Sequence, residues 1–265
     1  MPSYLVTGTA RGIGFALVNE LSSNGSNLVF AIVRETSDTS LLKGLKRSNL
    51  IIVKADISSQ EDIQKAFKII STKTNSLDVL IASAAYLPVA TQSPVEVTED
   101  FAAFSSEVNK SIKVNVLDQI YLINIFLPLL EKGDIRKIVF ISSGLSAMSF
   151  VLKTEIQFQM PYSLSKAALN LISAKFALAL KSKGFTVLAI CPGLVSSSSQ
   201  APLSEEEIRK QYGLFVDHLK LTNPEYKRPL TPPESASAIL KTIDYASPYL
   251  SGKFLSHFGS EHEWV

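Results

Sequence analysis

The amino-acid sequence predicts an α/β fold in which helices wrap a parallel sheet. Short apolar runs alternate with longer amphipathic runs along the whole chain, which is the pattern of repeated strand–helix units. A glycine-rich turn joins the first apolar run to the first amphipathic run. The 265 residues contain no internal repeat, no low-complexity tract and no linker typical of a domain boundary. We therefore expect one domain over residues 1–265.

The apolar runs have the length of buried strands, and the amphipathic runs have the length of helices. The predicted strands are Tyr4–Thr7, Leu28–Val33, Ile51–Ala55, Val79–Ala82, Lys137–Ile141, Thr186–Ile190 and Lys253–Ser256. The predicted helices are Ile13–Asn24, Gln60–Thr74, Asp100–Glu131, Tyr162–Lys183, Glu205–Lys220 and Glu234–Tyr245. Residues 196–233 are poor in regular structure apart from one helix. We interpret them as a substrate loop or lid inserted at the ligand face of the domain, and not as a second domain.

Composition and charge exclude several classes of function. The chain is 46% hydrophobic and 19% charged, and its formal net charge of +2 is not concentrated in a block, so we expect neither nucleic acid nor a charged membrane surface as a partner. No uncharged stretch has membrane-spanning length, and the first strand begins too early to leave room for a signal peptide. The single cysteine, Cys191, excludes an internal disulfide and fits a reducing compartment. We expect a soluble cytoplasmic protein.

The first motif is the turn Thr7-Gly8-Thr9-Ala10-Arg11-Gly12-Ile13-Gly14. It follows a predicted strand and opens a predicted helix, which is the context of a dinucleotide-binding loop. Glycines let the backbone turn tightly and approach a pyrophosphate, while the helix N-terminus contributes N–H groups and the positive end of its dipole. A glycine-rich turn with no ligand is the alternative, and the flanking strand and helix favour nucleotide binding over it.

The second motif opens the longest run of helix formers. Pro161 suits the first position of a helix, and Tyr162 and Lys166 are four residues apart, so they share one helix face. A free phenol has a pKa near ~10, and a lysine ammonium close to it is expected to lower that pKa. The pair then resembles a general acid and the group that tunes it. A chance pairing on a helix is the alternative, and only the rest of the chain decides between the two.

Two further segments have the character of a substrate site. Residues 147–160 are too apolar for an exposed loop, so they are either packed or line a pocket. Ser204 and Glu207 form a capping-box pattern, which predicts the start of a helix. The apolar stripe of that helix suits a lid, although a plain surface helix would show the same stripe.

Thr-Gly-x-x-x-Gly-Ile-Gly early in the chain and Tyr-x-x-x-Lys near its middle resemble the short-chain dehydrogenase/reductase family. The likeness covers nearly the whole chain, and the ending Ser251–Leu255 through Trp264 resembles more narrowly the fungal ketoreductases related to norsolorinic acid reductase. The resemblance implies a Rossmann-type, doubly wound fold with helices on both faces of a seven-stranded parallel sheet in the order 3-2-1-4-5-6-7. It also implies an enzyme that transfers hydride reversibly between a nicotinamide cofactor and a carbonyl or alcohol.

The resemblance assigns the catalytic roles. Tyr162 would donate the proton, Lys166 would lower the pKa of Tyr162 and bind the nicotinamide ribose, Ser143 would hold the carbonyl oxygen, and Asn115 would support the proton relay. Ser142 is expected to be structural. In the family the acid is the tyrosine phenol and not a metal ion. The three histidines are scattered without metal-ligand spacing, so we predict no metal site.

The resemblance also assigns a cofactor-binding set. Its members are Gly8, Thr9, Arg11, Gly12, Ile13, Gly14, Arg34, Asp56, Ile57, Ser83, Tyr162, Lys166, Pro192, Gly193, Val195 and Ser197. The family usually has Asn-Asn-Ala-Gly after the fourth strand, whereas this chain has Ala82-Ser83-Ala84-Ala85. This departure concerns local geometry beside the cofactor and not the fold.

The end of the second strand favours NADP(H) over NAD(H). An acidic residue there would bind the ribose 2′-hydroxyl, whereas a basic one accommodates a 2′-phosphate. The strand ends in Val33 and Arg34, and Arg11 adds a second cation in the glycine loop. Glu35 is the counter-evidence, because it is able to bind the ribose hydroxyls if the loop turns differently.

We therefore expect an NADP(H)-dependent reductase that acts on a small-molecule carbonyl or alcohol with a bulky apolar body. Two alternatives stay open: an NADP(H)-binding regulatory protein, and a non-redox isomerase or cyclase on the same fold. By resemblance the helices Asp100–Glu131 and Tyr162–Lys183 form the interface of a homodimer or homotetramer. Their outer faces are expected to present aromatic residues as contacts, namely Phe101, Phe104, Tyr121, Phe126 and Phe176.

Overall fold

The computed structural model describes residues 1–88, 93–98, 100–197 and 200–264. Seven strands form one sheet in the order β3-β2-β1-β4-β5-β6-β7, and neighbouring strands are parallel. They are β1 Ser3–Thr7, β2 Leu28–Val33, β3 Leu50–Lys54, β4 Val79–Ala82, β5 Lys137–Ile141, β6 Thr186–Cys191 and β7 Phe254–Ser256. The predicted sheet and its strand order are confirmed.

The described residues form nine α-helices. They are α1 Gly12–Ser23, α2 Ser40–Gly44, α3 Gln60–Ser71, α4 Phe101–Ile112, α5 Asp118–Leu130, α6 Met148–Thr154, α7 Met160–Ala179, α8 Glu205–Lys220 and α9 Pro232–Tyr245. The sequence did not predict α2 and α6, because helices of five and seven residues are too short to show a periodic pattern.

Alternate residues of the strands face opposite sides of the sheet, and each side has its own core. Leu5 belongs to one buried cluster and Val6 to the other. The first core is covered by α3, α5 and α7, where Phe126 is fully buried. The second is covered by α1 and α9, which contribute Leu17 and Ile239. Helices therefore cover both faces of the sheet, as the doubly wound fold requires.

The helix predicted over Asp100–Glu131 is interrupted in its middle. A π-helical turn, Lys113–Leu117, separates α4 from α5, and it contains Asn115. By length and composition alone, Phe101–Leu130 is apolar enough to cross a membrane. The inward face of α5 belongs to the first core, and this packing accounts for part of the apolar composition.

The prediction that five aromatic residues lie on the outer faces of these helices is wrong for Phe104 and Phe126. Phe104 and Phe126 are buried, and Tyr121 and Phe176 are partly buried against the first core. Phe101 alone among the five is an exposed large hydrophobic residue. Spacing along a helix shows which residues share a face, but not which face meets the sheet.

The segment predicted as an insertion, 196–233, is tied to the rest of the domain, and its residues 198–199 lie outside those described. The Leu230 N–H donates to Leu194 O at 2.8 Å, and the Ser196 N–H donates to Leu230 O at 2.9 Å. The predicted capping box at the start of α8 is confirmed, because Ser204 and Glu207 cap each other. The loop between α8 and α9 is therefore held beside the end of β6.

A third apolar cluster lies beyond the carboxyl end of β6, and we call it the aromatic cluster. Its buried members are Phe150, Ile156, Cys191, Leu219 and Trp264, and its partly buried members are Leu145, Ala147, Phe158, Leu194, Phe215, Tyr226 and Phe254. Several rings meet edge to face, with centroids 4.9 Å apart for Phe158 and Phe215 and 6.2 Å apart for Phe150 and Trp264. The apolar 147–160 segment is thus packed only in part: Phe150, Ile156 and Phe158 belong to the cluster, whereas Met148 and Leu152 are exposed.

Candidate active site

The predicted site residues follow strands whose carboxyl ends meet at one edge of the sheet. Because all strands are parallel, the glycine loop after β1, Ser83 after β4, Ser143 after β5 and Pro192 after β6 open on that same edge. Ligands of open parallel sheets bind at this edge, where the strand order reverses beside β1. The fold therefore brings together segments that are more than a hundred residues apart in sequence.

The glycine loop is tightly packed, and side chains would not fit at its glycines. A Cβ on Gly14 would lie 2.3 Å from Gly8 O, and a Cβ on Gly8 would lie 2.7 Å from Ala84 Cα. Gly8 and Gly12 also have positive φ angles, +71° and +58°, in the left-handed region that glycine adopts without strain. The backbone of the loop thus lies directly against the altered Ala82–Ala85 segment and the start of α1.

The loop and the start of α1 fit a dinucleotide pyrophosphate. Arg11 precedes α1 in an extended conformation and provides no side-chain cap, so no side chain satisfies the first N–H groups of that helix. Ser197 faces this turn, since a Cβ on Gly12 would be 3.3 Å from the Ser197 Cβ. Exposed N–H groups at a helix N-terminus form an anion-binding site. The glycines let the loop backbone pack closely, and a pyrophosphate would lie against the N–H groups at the start of α1.

Three members of the predicted cofactor set have partners of their own. Thr9 is fully buried, and its hydroxyl donates to Ile32 O at 3.1 Å, so its side chain ties the loop to β2. Ile57 is a buried core residue. Asp56 forms a local turn in which its Oδ1 accepts from the Ser58 N–H at 2.9 Å. These three side chains therefore mainly support the structure around the site.

The two arginines predicted to select the cofactor are both exposed. Arg11 and Arg34 have no acidic partner among the ion pairs of the described residues. The loop after Arg34 is held by Lys54, whose Nζ donates to the carbonyl oxygens of Glu35 at 3.0 Å and Ser37 at 3.2 Å. The sequence analysis missed Lys54. The feature that identifies Lys54 is its position opposite Val33 in the parallel register of β2 and β3, and this register is seen only in the structure.

The Ala82–Ala85 segment keeps an ordered backbone despite its departure from the family pattern. The Thr7 hydroxyl accepts from the N–H groups of Ser83 at 3.1 Å and Ala84 at 3.0 Å. On the other side, the Gln119 Nε2 donates to Ala84 O at 2.9 Å. Gln119 is buried, and it was also missed. Gln119 therefore holds in place the segment in which this chain departs from the family pattern.

The lysine predicted to be catalytic is buried beside the tyrosine predicted to be the acid. Lys166 is 2% exposed, its Nζ donates to Ile141 O at 2.7 Å, and the same atom lies 5.5 Å from the Tyr162 ring centroid. Burial lowers the pKa of Lys166 to about 7. The prediction that the two side chains share one face of the helix is confirmed.

The expectation that Lys166 lowers the pKa of Tyr162 differs from the structure. Burial raises the pKa of the Tyr162 phenol. Removing a phenolate from water costs more than the partly desolvated, carbonyl-bound ammonium returns. Tyr162 therefore retains its proton at neutral pH, as a proton donor must. Cys191 is also a thiol, because burial raises its pKa to about 11.

Ser143 is positioned to donate a hydrogen bond. It precedes a 3-10 turn, Gly144–Ser146, and its Oγ accepts from the Leu145 N–H at 3.2 Å. A hydroxyl that accepts from the backbone keeps its own proton for another acceptor. Ser142, in contrast, donates to Asn170 Oδ1 at 2.6 Å. This is the structural role expected of it.

Asn115 lies in the π-helical turn, and its side chain joins two parts of the site. Its Oδ1 accepts from the Tyr86 N–H at 2.7 Å, and its Nδ2 donates to Tyr86 O and Ser165 Oγ, both at 2.9 Å. It thereby links the segment after β4 to α7 beside Lys166. π-helical turns are frequent at functional sites. Its predicted role in a proton relay stays a prediction.

The loop after β6 closes the edge of the site. Gly193 has a φ of +81°, Pro192 O accepts from the Ser235 hydroxyl at 2.8 Å, and Val195 pairs with Leu230. The Cys191 Sγ accepts from the Gly144 N–H at 3.0 Å. The loops that follow β5 and β6 are thus joined at Cys191, a contact that the sequence analysis did not predict. No cluster of three metal-ligating side chains occurs in the part of the chain that the structure describes.

Comparison with known proteins agrees with this geometry. A family model for short chain dehydrogenase matches residues 3–208. The short chain dehydrogenase virK of Hypocrea virens is 33% identical over 280 residues and covers 100% of both chains. The short-chain dehydrogenase/reductase AacuF of Aspergillus aculeatus is 35% identical over 271 residues and also covers 100% of both.

A solved structure shares the fold over the full length. The NADPH-bound carbonyl reductase from chicken fatty liver superposes with a TM-score of 0.76 at 23% identity, over 100% of this chain and 99% of that one. The family model and the two fungal relatives carry the assignment to a family, and the structural likeness supports the fold. The chain therefore belongs to the short-chain dehydrogenase/reductase family of oxidoreductases, whose members use a nicotinamide cofactor.

Proposed function

We propose that this chain is an NADP(H)-dependent reductase that converts a carbonyl group to an alcohol on a bulky apolar substrate. The observation that carries the proposal is the arrangement of Ser143, Tyr162 and Lys166 at the edge of the sheet where the glycine loop also opens. Cofactor binding alone would not require Ser143 in this arrangement, because its hydroxyl is available to a substrate carbonyl.

Each side chain has a distinct part in the reaction. Bound NADPH supplies hydride to the carbonyl carbon. Ser143 donates a hydrogen bond to the carbonyl oxygen, and Tyr162 transfers its phenolic proton to the same oxygen as the C–O double bond is reduced. The phenolate that remains is stabilised by the Lys166 ammonium until it takes a proton from solvent. Because its pKa is about 7, Lys166 is able to exchange a proton near neutral pH.

The proposed preference for NADPH rests on positive charge in the glycine loop and at the end of β2. Arg11 and Arg34 are exposed cations, and Lys54 orders the loop beside Arg34 through its bonds to backbone carbonyls. A charge-assisted contact with a 2′-phosphate contributes on the order of 1.5–3 kcal/mol, or roughly tenfold to a hundredfold in affinity. The carbonyl reductase of similar fold that binds NADPH supports this choice.

The test combines cofactor stoichiometry with one variant. Incubation with a panel of ketones and aldehydes is expected to oxidise one NADPH for each alcohol formed, and NADPH is expected to bind more tightly than NADH. Tyr162→Phe keeps the ring but removes the proton donor, so we expect turnover to fall by about 10²–10⁴ while NADPH still binds. Tyr249→Phe, at a tyrosine that is 95% exposed, is the matched control and is expected to behave like the parent.

Other outcomes have a direct meaning. Near-parent turnover of Tyr162→Phe would refute the proposed acid. NADPH binding without oxidation by any carbonyl would favour a regulatory protein. Substrate conversion that consumes no NADPH would favour an isomerase or cyclase.

We also infer that the chain assembles as a homodimer through α7. Three exposed leucines, Leu164, Leu171 and Leu178, are spaced seven residues apart and therefore form one stripe along the helix. Phe101 at the start of α4 and Leu117 before α5 are exposed as well. Exposed apolar stripes on helices are typical of protein interfaces.

A further inference from the structure

The backbone pairing between β5 and β6 ends at the edge of the candidate site. Beyond the two strands, the Ser142 N–H donates to Ile190 O at 2.7 Å. In a parallel ladder the next bond on that side joins the residues two positions further along, which are Gly144 and Pro192. Pro192 O accepts from the Ser235 hydroxyl at 2.8 Å. The two chains therefore leave the regular ladder at the point where a crevice opens between them.

The Cys191 thiol provides an acceptor at this point. Its Sγ accepts from the Gly144 N–H at 3.0 Å, and both residues are buried. A buried N–H without an acceptor is unfavourable, so this bond holds the two chains together beyond the sheet. Gly144 has little room to move, because a Cβ on it would lie 3.1 Å from Phe150 Cε1.

The turn after β6 is held in place by other groups as well. The Ser235 hydroxyl binds Pro192 O, as described above, and the His257 ring lies against Gly193, since a Cβ on Gly193 would be 3.1 Å from His257 Cε1. Ser235 and His257 are both buried. This turn is therefore a fixed point, and the thiol bond fixes the turn that carries Ser143 relative to it.

The surroundings of Cys191 do not suit a nucleophile. The thiolate is the reactive form of cysteine. Burial raises the pKa of this thiol to about 11, although the Gly193 and Gly144 N–H groups lower it. The protonated sulfur is thus a hydrogen-bond acceptor that solvent does not reach, and its role is to be sought in the backbone that it binds.

We propose that Cys191 is a positioning residue for Ser143: its thiol, through the Gly144 N–H, sets the distance between the carbonyl-binding hydroxyl and the cofactor-binding loop after β6. This inference rests on the proposed function and deepens it. Hydride transfer requires the reacting atoms to lie about 3–3.5 Å apart, and a misplacement of about 1 Å costs about a hundredfold in rate. A bond that joins the carbonyl-binding turn to the cofactor loop controls this distance.

The test is a double-mutant cycle between Cys191→Ala and Ser143→Ala, with NADPH saturating and a carbonyl compound as substrate. Cys191→Ala removes the acceptor, so we expect kcat to fall by about tenfold to a hundredfold. Cys191→Ser keeps an acceptor at this position and is expected to retain kcat within about threefold of the parent. Because the thiol acts through Ser143, adding Cys191→Ala to Ser143→Ala is expected to lower kcat by less than about twofold.

A merely structural role predicts a different pattern. Independent losses multiply, so the double variant would then be slower than Ser143→Ala by the full factor that Cys191→Ala causes alone. That result, or parental kcat for Cys191→Ala, would overturn the inference. The Kd for NADPH is expected to stay near the parental value, because Ser235 and His257 hold the turn after β6 without the thiol. Ser173→Ala, at a buried serine of α7, is the control for truncating a buried side chain and is expected to behave like the parent.

Amide hydrogen exchange, followed by NMR, separates this inference from the proposed function. If no carbonyl compound oxidises NADPH, the proposed function fails, and the exchange rates of the Gly144 and Leu145 N–H groups decide the inference. The Leu145 N–H donates to Ser143 Oγ at 3.2 Å, so its exchange rate reports on the position of Ser143. Exchange that is faster by about tenfold or more at both groups in Cys191→Ala, with parental rates in Cys191→Ser, supports the inference. An unchanged rate at Leu145 in Cys191→Ala overturns it.

Discussion

Gly14→Ala adds one methyl group at the most crowded point of the glycine loop. The new Cβ would lie 2.3 Å from Gly8 O and 2.8 Å from the Gly8 carbonyl carbon, whereas ordinary contact begins near 3.4 Å. The loop must therefore move by about 1 Å. Alanine is favoured over glycine within a helix by about 1 kcal/mol, but overpacking against backbone costs about 1–3 kcal/mol. The overlap is with main-chain atoms that cannot rotate away, so we expect net destabilisation.

The larger effect is expected on cofactor binding. Displacement of Gly8 by about 1 Å would move the loop backbone proposed to bind the pyrophosphate, and each charge-assisted bond lost would cost about 1.5–3 kcal/mol. One such bond corresponds to a Kd for NADPH that is higher by roughly tenfold to a hundredfold, and two correspond to roughly a hundredfold to ten-thousandfold. The assay is titration of NADPH by fluorescence, together with the melting temperature of the free protein.

Gly44→Ala is the matched control for this substitution. Gly44 also lies in a helix, α2, but a Cβ there would meet no atom within 4 Å. It is expected to leave NADPH affinity unchanged and stability unchanged or slightly higher. If Gly14→Ala bound NADPH with parental affinity, the reasoning that the loop backbone directly forms the phosphate cradle would be refuted.

Two further predictions concern the buried lysine and assembly. Burial lowers the pKa of Lys166 from 10.5 to about 7, so the unfolded state holds this proton over a higher pH range than the folded state. The free energy of unfolding is therefore expected to rise between pH 7 and 9 by more in the parent than in Lys166→Met; parallel stability curves for the two proteins would contradict this. Leu171→Glu places a charge in the exposed stripe of α7, at a residue that is 61% exposed. It is expected to yield monomers in light scattering. The control is Leu41→Glu, at an exposed leucine outside the stripe, which is expected to leave the dimer intact. A parent that is already monomeric at micromolar concentration would refute the dimer.

Features that depend on local order in the sequence were predicted well. The strands and most helices were predicted from the length and period of the apolar runs. These runs are visible in the sequence because a strand or helix in the core must remove one or both of its faces from water. The pairing of Tyr162 and Lys166 follows from the helical repeat alone. The glycine loop was recognisable because a strand, a turn and a helix N-terminus occur consecutively, so its chemistry is encoded within eight residues. The resemblance then assigned Ser143 and Asn115, which spacing by itself would not have found.

Features that depend on contacts between distant segments required the tertiary structure. Lys54 orders the loop after β2, and Gln119 supports the altered segment after β4, through bonds to backbone carbonyls that leave no pattern in the sequence. The sign of the pKa change at Tyr162 was mispredicted because it depends on burial, which depends on the whole fold. For the same reason the inward orientation of Phe104 was not foreseen. The sequence by itself determined the order of the elements and the candidate reacting groups. Only packing decided how far those groups are removed from water and which side chains contact them, because desolvation and long-range hydrogen bonds arise when segments far apart in the chain come into contact.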